Sequence, residues 1–150
     1  MGGSCFFIGH RDARDEVFPV IKEQVVECIL HHDVSEFFVG HYGSFDRMAA
    51  RAVMEAKAEY PDVRLYLVLP YHPAIRPVPL PEGFDGSYYP WGDERIPYRL
   101  AIVKTNRLMV KTCDILIAYA WHPASSARDL VEYAHSQGKT VINLSDQLVS

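Results

Sequence analysis

The chain has 150 residues, of which 49% are hydrophobic and 23% charged, and its formal net charge is −4. This length is typical of one domain, and a chain of this size buries roughly 70% of the surface that its unfolded form exposes. These values exclude an intrinsically disordered, collagen-like or small disulfide-stabilised protein. The negative net charge argues against nucleic acid as a partner, since nucleic-acid-binding domains normally carry a basic face.

The cysteines and the hydropathy of the chain indicate its compartment. Cys5, Cys28 and Cys113 stand alone in the sequence, which is typical of buried thiols in a reducing compartment rather than of disulfides or a zinc site. No apolar run approaches the ~20 residues of a membrane span, and the N-terminus lacks a signal-peptide core. We therefore expect one cytoplasmic domain over residues 1–150, with no membrane association, no metal and no cofactor.

Short apolar runs alternate with longer segments of helical periodicity, which is the pattern of repeated βα units. This pattern predicts an α/β sandwich with helices on both faces of a mostly parallel, five-stranded sheet. The predicted strands are Ser4–Gly9, Glu36–Gly40, Arg64–Pro70, Asp114–Ala120 and Thr140–Leu144. The predicted helices are Asp12 to about Leu30, Asp46–Glu59, Pro97–Cys113 (after a long loop) and Ser126–Gln137.

One segment, 71–97, interrupts the alternation. It is rich in proline and contains the aromatic residues Phe84, Tyr88, Tyr89 and Trp91 after Tyr71. A loop of this length inside a small domain is usually a lid, a binding loop or a disordered insert, and the aromatic content argues against simple disorder. Its rings either stack on a ligand or pin the loop to the body of the protein.

Polar residues follow each predicted strand, at the edge where open parallel sheets bind ligands. Glycines that leave backbone N–H groups accessible at helix starts favour a phosphate or ribose hydroxyls, and Arg11 offers a charged partner for such an anion. Four of the seven histidines, His10, His41, His72 and His122, also fall in these turns. This clustering predicts an anion-binding pocket at the carboxyl edge of the sheet.

Each of these residues also has a purely structural interpretation. Gly9 and Gly40 suit tight turns between a strand and a helix. Asp12 and Ser126, each followed three residues later by an aspartate, are predicted helix N-caps. Asp46, near a helix start, is favoured by the helix dipole whether or not a ligand binds.

Several segments together resemble the SLOG superfamily, and most closely its YpsA-like branch of small bacterial proteins. They are CFFIGHR at the start, G-x-Y-G-x-F-D over Gly40–Asp46, YPDVRLYLVLPY, NRLMVKTCDILIAY over Asn106–Tyr119, and the closing EYA-x-x-x-GK-x-V-I-N-L. The resemblance runs in order along nearly the whole chain. It implies a Rossmann-like domain that binds a nucleotide or a nucleotide-derived ligand, and the matching positions are Gly9, His10, Arg11, Gly40, Gly43, Phe45, Asp46, Tyr71, Asn106, Ser125 and Ser126.

The chain departs from the enzymes of similar fold. LOG-like phosphoribohydrolases carry P-G-G-x-G-T-x-x-E, whereas residues 122–132 read HPASSARDLVE, with Asp129 as the nearest acid. In the deoxyribosyltransferase motif E-x-G-x-A the nucleophilic glutamate would correspond to Leu130, which belongs to a predicted buried stripe. The chain therefore has no glutamate at the position that either glycosidic mechanism requires.

Three hypotheses follow. The first is a sensing or regulatory module that binds a nucleotide-like small molecule. The alternative is an N-glycoside hydrolase or transferase acting on a nucleoside monophosphate, with Asp46 or Asp129 as the carboxylate and His10 or His41 as the proton donor. The third is nucleic-acid binding by a local basic edge, which the net negative charge of the chain disfavours. This edge would comprise Arg11, Arg14, Arg47, Arg51 and Lys57. A second copy of the chain, in a homo-oligomer, is the expected partner if the site needs another surface.

Overall fold

A six-stranded parallel sheet forms the centre of the fold in the computed structural model, which describes residues 2–148. The strands are β1 (Gly3–Gly9), β2 (Val34–Val39), β3 (Arg64–Val68), β4 (Gly86–Tyr88), β5 (Ile115–Tyr119) and β6 (Thr140–Asn143). Their order across the sheet is β4-β3-β2-β1-β5-β6, and each neighbouring pair is parallel. The helices are α1 (Phe18–His31), α2 (Ser44–Lys57), α3 (Ala101–Thr112), α4 (Ser126–Ser136) and the short α5 (Ser145–Leu148).

Two hydrophobic clusters, one on each face of the sheet, hold the layers together. Successive side chains of a strand point to opposite faces, so Phe7 joins the cluster under α1 and α2 while Phe6 joins the one under α3 and α4. Both phenylalanines are almost completely buried. The predicted three-layer α/β class, with helices on both faces, is therefore confirmed.

The sheet has one more strand than the sequence predicts. β4 lies inside the predicted loop 71–97 and pairs with β3 at the edge of the sheet. It escapes periodicity analysis because only Gly86–Tyr88 form it, bounded by Asp85 and by Tyr89–Pro90. A short edge strand of this kind has too few residues to show an alternating pattern.

Several predicted helix boundaries are wrong. α1 begins at Phe18 rather than Asp12, after a 3-10 turn over Asp15–Val17, and Asp12 caps no helix. Pro19 explains the difference, because a proline lacks the N–H that a helix interior needs but fits the first turn. α2 starts two residues before the predicted Asp46, and α4 is capped by Ser125, whose Oγ accepts the N–H of Arg128 at 3.1 Å, rather than by Ser126.

Several contacts fix the segment 71–97 to the body of the protein. Leu69 donates its N–H to the carbonyl of Tyr88 at 2.9 Å, beside the β3–β4 pairing. Trp91 donates its indole N–H to Oγ1 of Thr105 at 2.8 Å, and Thr105 is buried in α3. The Trp91 ring therefore pins the loop to α3.

Candidate functional site

A small cleft opens at the carboxyl edge of the sheet, where the ends of β1 and β2 meet α2, α3 and α4. The sheet order reverses at β1, since β2 lies on one side of it and β5 on the other. Ligands of open α/β sheets bind at such a switch point. The cleft encloses about 110 Å³ and is lined by Phe6, Phe7, Ile8, Gly9, Arg11, Gly40, Tyr42, Gly43, Phe45, Asp46, Ile102, Asn106 and Ser126.

Most of the residues predicted for a ligand site line this cleft. The structure brings together Gly9, Arg11, Gly40, Gly43, Phe45, Asp46, Asn106 and Ser126. His10, Tyr71 and Ser125 lie outside its lining, as do His41 and Asp129. Tyr42 and Ile102 line the cleft although the sequence does not single them out. The signal for Tyr42 is its place in the G-x-Y-G-x-F-D turn.

Two glycines shape the cleft by letting neighbouring groups approach closely. A Cβ at Gly9 would lie 2.3 Å from Cγ of Phe45, and the ring of Phe45 fills that space instead. A Cβ at Gly43 would lie 2.5 Å from the backbone Cα of Arg11. The turns after β1 and β2 are therefore packed so tightly that neither position accepts a side chain without movement.

The start of α2 is bound to the turn after β1. The Ser44 N–H donates to the Arg11 carbonyl at 2.9 Å, and the Ser44 hydroxyl shares its hydrogen between the carbonyls of Ala13 (2.6 Å) and Arg11 (2.9 Å). The Arg47 N–H donates to the Gly43 carbonyl. Within residues 2–148, the remaining first-turn N–H groups, those of Phe45 and Asp46, have no acceptor and are available to a ligand at the positive end of the helix dipole.

Asp46 is the buried charged group of the cleft. Its side chain is 9% exposed, and its Oδ2 accepts the N–H of Tyr42 at 3.0 Å. Burial raises the pKa of Asp46 from 3.8 to about 6, although the Tyr42 N–H, Arg11 and Arg47 each favour the charged form. Asp46 is therefore a strong hydrogen-bond acceptor at neutral pH that takes up a proton in mildly acidic solution.

Tyr42 lines the cleft together with Arg11, and a neighbouring recess together with a second arginine, Arg76. Burial raises the pKa of the Tyr42 phenol to about 12, with a further contribution from Tyr71, while Arg76 and Arg11 both act to lower it. Neither arginine belongs to an ion pair among residues 2–148. Two guanidinium groups free to bind an anion therefore flank this phenol.

His10 joins the turn after β1 to the turn after β5. Its Nε2 accepts the N–H groups of Trp121 (3.2 Å) and His122 (3.3 Å), and its ring meets Tyr119 and Trp121 edge-on. Burial lowers the pKa of His10, which keeps the ring neutral as this acceptor role requires. His41 stacks on Tyr42 with ring centroids 4.5 Å apart, and burial lowers its pKa as well.

The structure gives less support to Asp129 as a catalytic carboxylate and to a basic edge for nucleic acid. Asp129 is exposed on α4, and Leu130 is buried as predicted. Of the residues that would form a basic edge, Arg51 pairs with Glu55 at 3.1 Å and Lys57 pairs with Asp85. Arg11, Arg14 and Arg47 are then left to form that edge.

Neither a metal centre nor a membrane span is present in the part of the chain that the structure describes. Residues 2–148 contain no group of three histidine, cysteine or acidic side chains placed to hold a metal ion. Over the same residues, no helix combines the length and the apolar character that crossing a membrane requires.

Comparison with known proteins identifies the fold. No family model and no curated protein sequence matches this chain. DNA processing protein A (DprA) from Streptococcus pneumoniae is similar in structure, with a TM-score of 0.65 and 18% identity over 93% of this chain and 49% of that one. The Moco carrier protein from Chlamydomonas reinhardtii has a TM-score of 0.58 and 15% identity over 94% of this chain and 75% of that one.

The fold is a Rossmann-like α/β fold with a parallel sheet, which these two structures share. This confirms the part of the sequence resemblance that concerns architecture. The chain spans about half the length of the DprA structure, so the segments outside the match have no counterpart in these 150 residues.

Proposed function

We propose that this protein is a binding module for a nucleotide or a nucleotide-derived anion, with a sensing or regulatory role in the bacterial cytoplasm, and that it belongs to the YpsA-like branch. The observation that carries the proposal is the combination of free N–H groups at the start of α2, the unpaired Arg11 and the buried acceptor Asp46 in one cleft. The structural neighbour from Chlamydomonas reinhardtii is named as a carrier of Moco, and a carrier with this fold is consistent with a binding role.

The two sides of the cleft suit different parts of a nucleotide. The guanidinium of Arg11 and the N–H groups of Phe45 and Asp46 are donors for phosphate oxygens. The carboxylate of Asp46 would repel a phosphate at close range, and its lone pairs instead suit the hydroxyl groups of a ribose. A volume of 110 Å³ holds a phosphate or part of a sugar but is well below the ~300 Å³ of a full small-ligand pocket.

Calorimetric titration with nucleoside monophosphates, ADP-ribose and cyclic nucleotides tests this proposal. We expect at least one to bind, and we expect Arg11→Ala to weaken that binding roughly 10- to 100-fold, the usual effect of removing a charge-assisted hydrogen bond. Arg14→Ala, at a neighbouring exposed arginine outside the cleft lining, should leave the affinity unchanged. If none of the compounds binds at millimolar concentration, the protein is not a nucleotide-binding module.

The second candidate function is N-glycoside hydrolysis, which the position of Asp46 favours. A buried carboxyl with a pKa of about 6 in a cleft is suited to stabilise a cationic sugar or to transfer a proton. In this reaction water would replace the base at C1 of the ribose, and the base would leave with a proton. Release of free base from a nucleoside monophosphate, lost in Asp46→Asn and kept in Asp129→Asn, would establish it; stable substrate over a long incubation would eliminate it.

A further inference from the structure

A second and larger cavity, open to solvent, is lined mostly by residues of the segment 71–97 itself. It encloses about 460 Å³, four times the volume of the cleft, and its lining includes Tyr71, Tyr98, Asp93, Glu94 and Arg95. This volume falls in the range of ~300–1,000 Å³ that is typical of small-molecule sites. The cavity is therefore large enough for a heterocyclic ring system that the cleft itself cannot hold.

The cavity adjoins the cleft. Ala101 lines the cavity and the next residue, Ile102, lines the cleft. A small recess shares Tyr42 with the cleft and Tyr71 with the cavity. Arg76 lines the same recess and acts on the Tyr42 phenol together with Arg11. A ligand that occupied both the cleft and the cavity would therefore pass Tyr42 and Tyr71.

Two contacts fix the part of the segment 71–97 that leads to the acidic residues of the cavity. The pairing of β4 with β3 fixes Gly86–Tyr88, and the Trp91–Thr105 hydrogen bond fixes the stretch just before Asp93. A cavity held open in this way saves a ligand the free-energy cost of ordering the loop.

One wall is a stacking platform. The rings of Tyr71 and Tyr98 are stacked with centroids 4.6 Å apart and planes 21° apart. The guanidinium of Arg76 lies 4.9 Å from the first centroid and 5.3 Å from the second. Tyrosine rings and arginine planes are the usual surfaces for an unpaired nucleobase.

The lining also includes exposed charged residues whose hydrogen-bonding groups match one base. Asp93 and Glu94 offer carboxylates, and no ion pair among residues 2–148 involves them or Arg95. Guanine presents two adjacent donors, N1–H and the 2-amino group, which suit a carboxylate, and two acceptors, O6 and N7, which suit an arginine. Adenine offers one amino group and no ring N–H on that edge, so it satisfies these side chains less well.

We propose that the cavity lined by the segment 71–97 binds the guanine base of a guanine nucleotide whose phosphate and ribose lie along Tyr42 and the cleft. This inference rests on the proposed nucleotide-binding function and names its ligand class. The base stacks on the Tyr71–Tyr98 platform, and its Watson–Crick edge faces Asp93 or Glu94.

Titration of the full chain with GMP, IMP, AMP and ribose 5-phosphate tests the proposal. Ribose 5-phosphate can contact only the cleft, so its affinity measures the cleft alone. GMP can contact both the cleft and the cavity. We expect GMP to bind roughly tenfold or more tightly than ribose 5-phosphate, and also more tightly than AMP or than IMP, which lacks only the 2-amino group.

Variants of the cavity locate the base. Tyr98 is 59% exposed, so Tyr98→Ala should fold normally, weaken GMP binding roughly 5- to 100-fold and leave ribose 5-phosphate binding unchanged. The double variant Asp93→Asn, Glu94→Gln should reduce the preference for GMP over IMP. Val103→Ala, at an exposed position of α3 outside the cavity lining, is the matched control and should bind GMP like the wild type.

The outcomes separate this inference from the proposed function. If ribose 5-phosphate and GMP bind equally, the site binds only a phosphosugar and the base assignment is wrong. If GMP and AMP bind equally but more tightly than ribose 5-phosphate, a base binds without selection for guanine, and the guanine assignment is wrong. If GMP binds most tightly but Tyr98→Ala and the acid variants have no effect, the base lies elsewhere and the inference is overturned. If none of the four compounds binds, the guanine assignment fails, and the nucleotide-binding function fails with it only if ADP-ribose and the cyclic nucleotides do not bind either.

Discussion

The carboxylate of Asp46 accepts a 3.0 Å hydrogen bond from the backbone N–H of Tyr42, four residues earlier in the same turn. This bond fixes the path of the chain from the end of β2 to the start of α2. It also holds a carboxylate that is 9% exposed at the wall of the cleft. The same contact therefore shapes the turn and places an acceptor where a ligand would lie.

The free energy of unfolding should depend on pH because of this buried carboxyl. Because the pKa of Asp46 rises from 3.8 to about 6 on folding, the native state binds more protons than the unfolded state between these values. Asp46 thus lowers stability as the pH rises from about 4 to about 6, by up to about 3 kcal/mol. Asp46→Asn removes this dependence, so the variant should gain stability relative to the wild type over that interval.

Urea unfolding at several pH values between about 4 and about 7 measures the difference between the two proteins. Histidine titration affects both curves and cancels in the difference. Asp129→Asn, which removes an exposed carboxylate outside the cleft, controls for the change in net charge. A wild-type-minus-variant difference that is flat across this range would contradict the burial of Asp46.

The contact between Gly9 and Phe45 makes a second prediction. Gly9→Ala would place a Cβ 2.3 Å from Cγ of a ring that is 1% exposed, so the ring or the turn must move. We expect a loss of about 1–3 kcal/mol in the free energy of unfolding, the usual effect of overpacking, and weaker ligand binding in the altered cleft.

The matched control for this substitution is Gly86→Ala. A Cβ there would meet Cδ1 of Tyr66 at 3.6 Å, an ordinary contact, so thermal unfolding should change little. The double variant Gly9→Ala, Phe45→Leu should be more stable than the sum of the single effects predicts, because the smaller side chain leaves room for the methyl group. Strict additivity would show that the Phe45 ring is not the obstacle.

The amino-acid pattern is sufficient to predict the architecture but not every boundary. The continuous apolar runs of the central strands and the helix-period stripe of Ala49, Ala52 and Ala56 in α2 are strong signals, and the structure confirms both. β4 escapes prediction because three edge residues carry no measurable period. The predicted start of α1 is too early because Asp12 resembles a cap, whereas the proline at position 19 marks the true first turn.

The candidate site is only partly predictable, because side-chain direction is set by tertiary packing. The rule that ligands bind at the carboxyl edge of the sheet places Gly9, Gly40 and Asp46 in the cleft. It cannot show that His10 turns toward Trp121 and His122, since this depends on contacts between residues more than a hundred positions apart. The cavity lined by the segment 71–97 cannot be predicted from the sequence either, because its shape depends on how the loop is held against α3.

The hydrogen bond between Trp91 and Thr105 provides a third prediction. Trp91→Phe keeps the aromatic packing but removes the indole N–H, which leaves the buried hydroxyl of Thr105 without that donor. We expect a loss of about 1–3 kcal/mol in unfolding free energy and faster amide hydrogen exchange across the segment 71–97.

Combining this change with Thr105→Val distinguishes the hydrogen bond from general packing. When both polar partners are removed, the cost of an unsatisfied buried hydroxyl disappears, so the double variant should recover part of the lost stability. If the double variant is less stable than either single variant, packing rather than the hydrogen bond holds the loop.

His10 supports a fourth prediction, since its role as an acceptor requires a neutral ring. Two backbone N–H groups point at Nε2, so the proton must sit on Nδ1. His10→Ala should cost about 1–2 kcal/mol in unfolding free energy by freeing the turn at Trp121 and His122. His32→Ala, at an exposed position just after α1, should cost far less.

Long-range proton–nitrogen correlation spectra of the imidazole rings check the tautomer directly. They should show a protonated Nδ1 and an unprotonated Nε2 for His10 at neutral pH. Because burial lowers the pKa of His10 from 6.5, the native state binds fewer protons than the unfolded state below that value, and this residue should destabilise the fold as the pH falls through it. An Nε2–H tautomer, or equal stability losses in the two alanine variants, would show that His10 does not join the two turns. In that case the His10 ring would be free to contact a ligand.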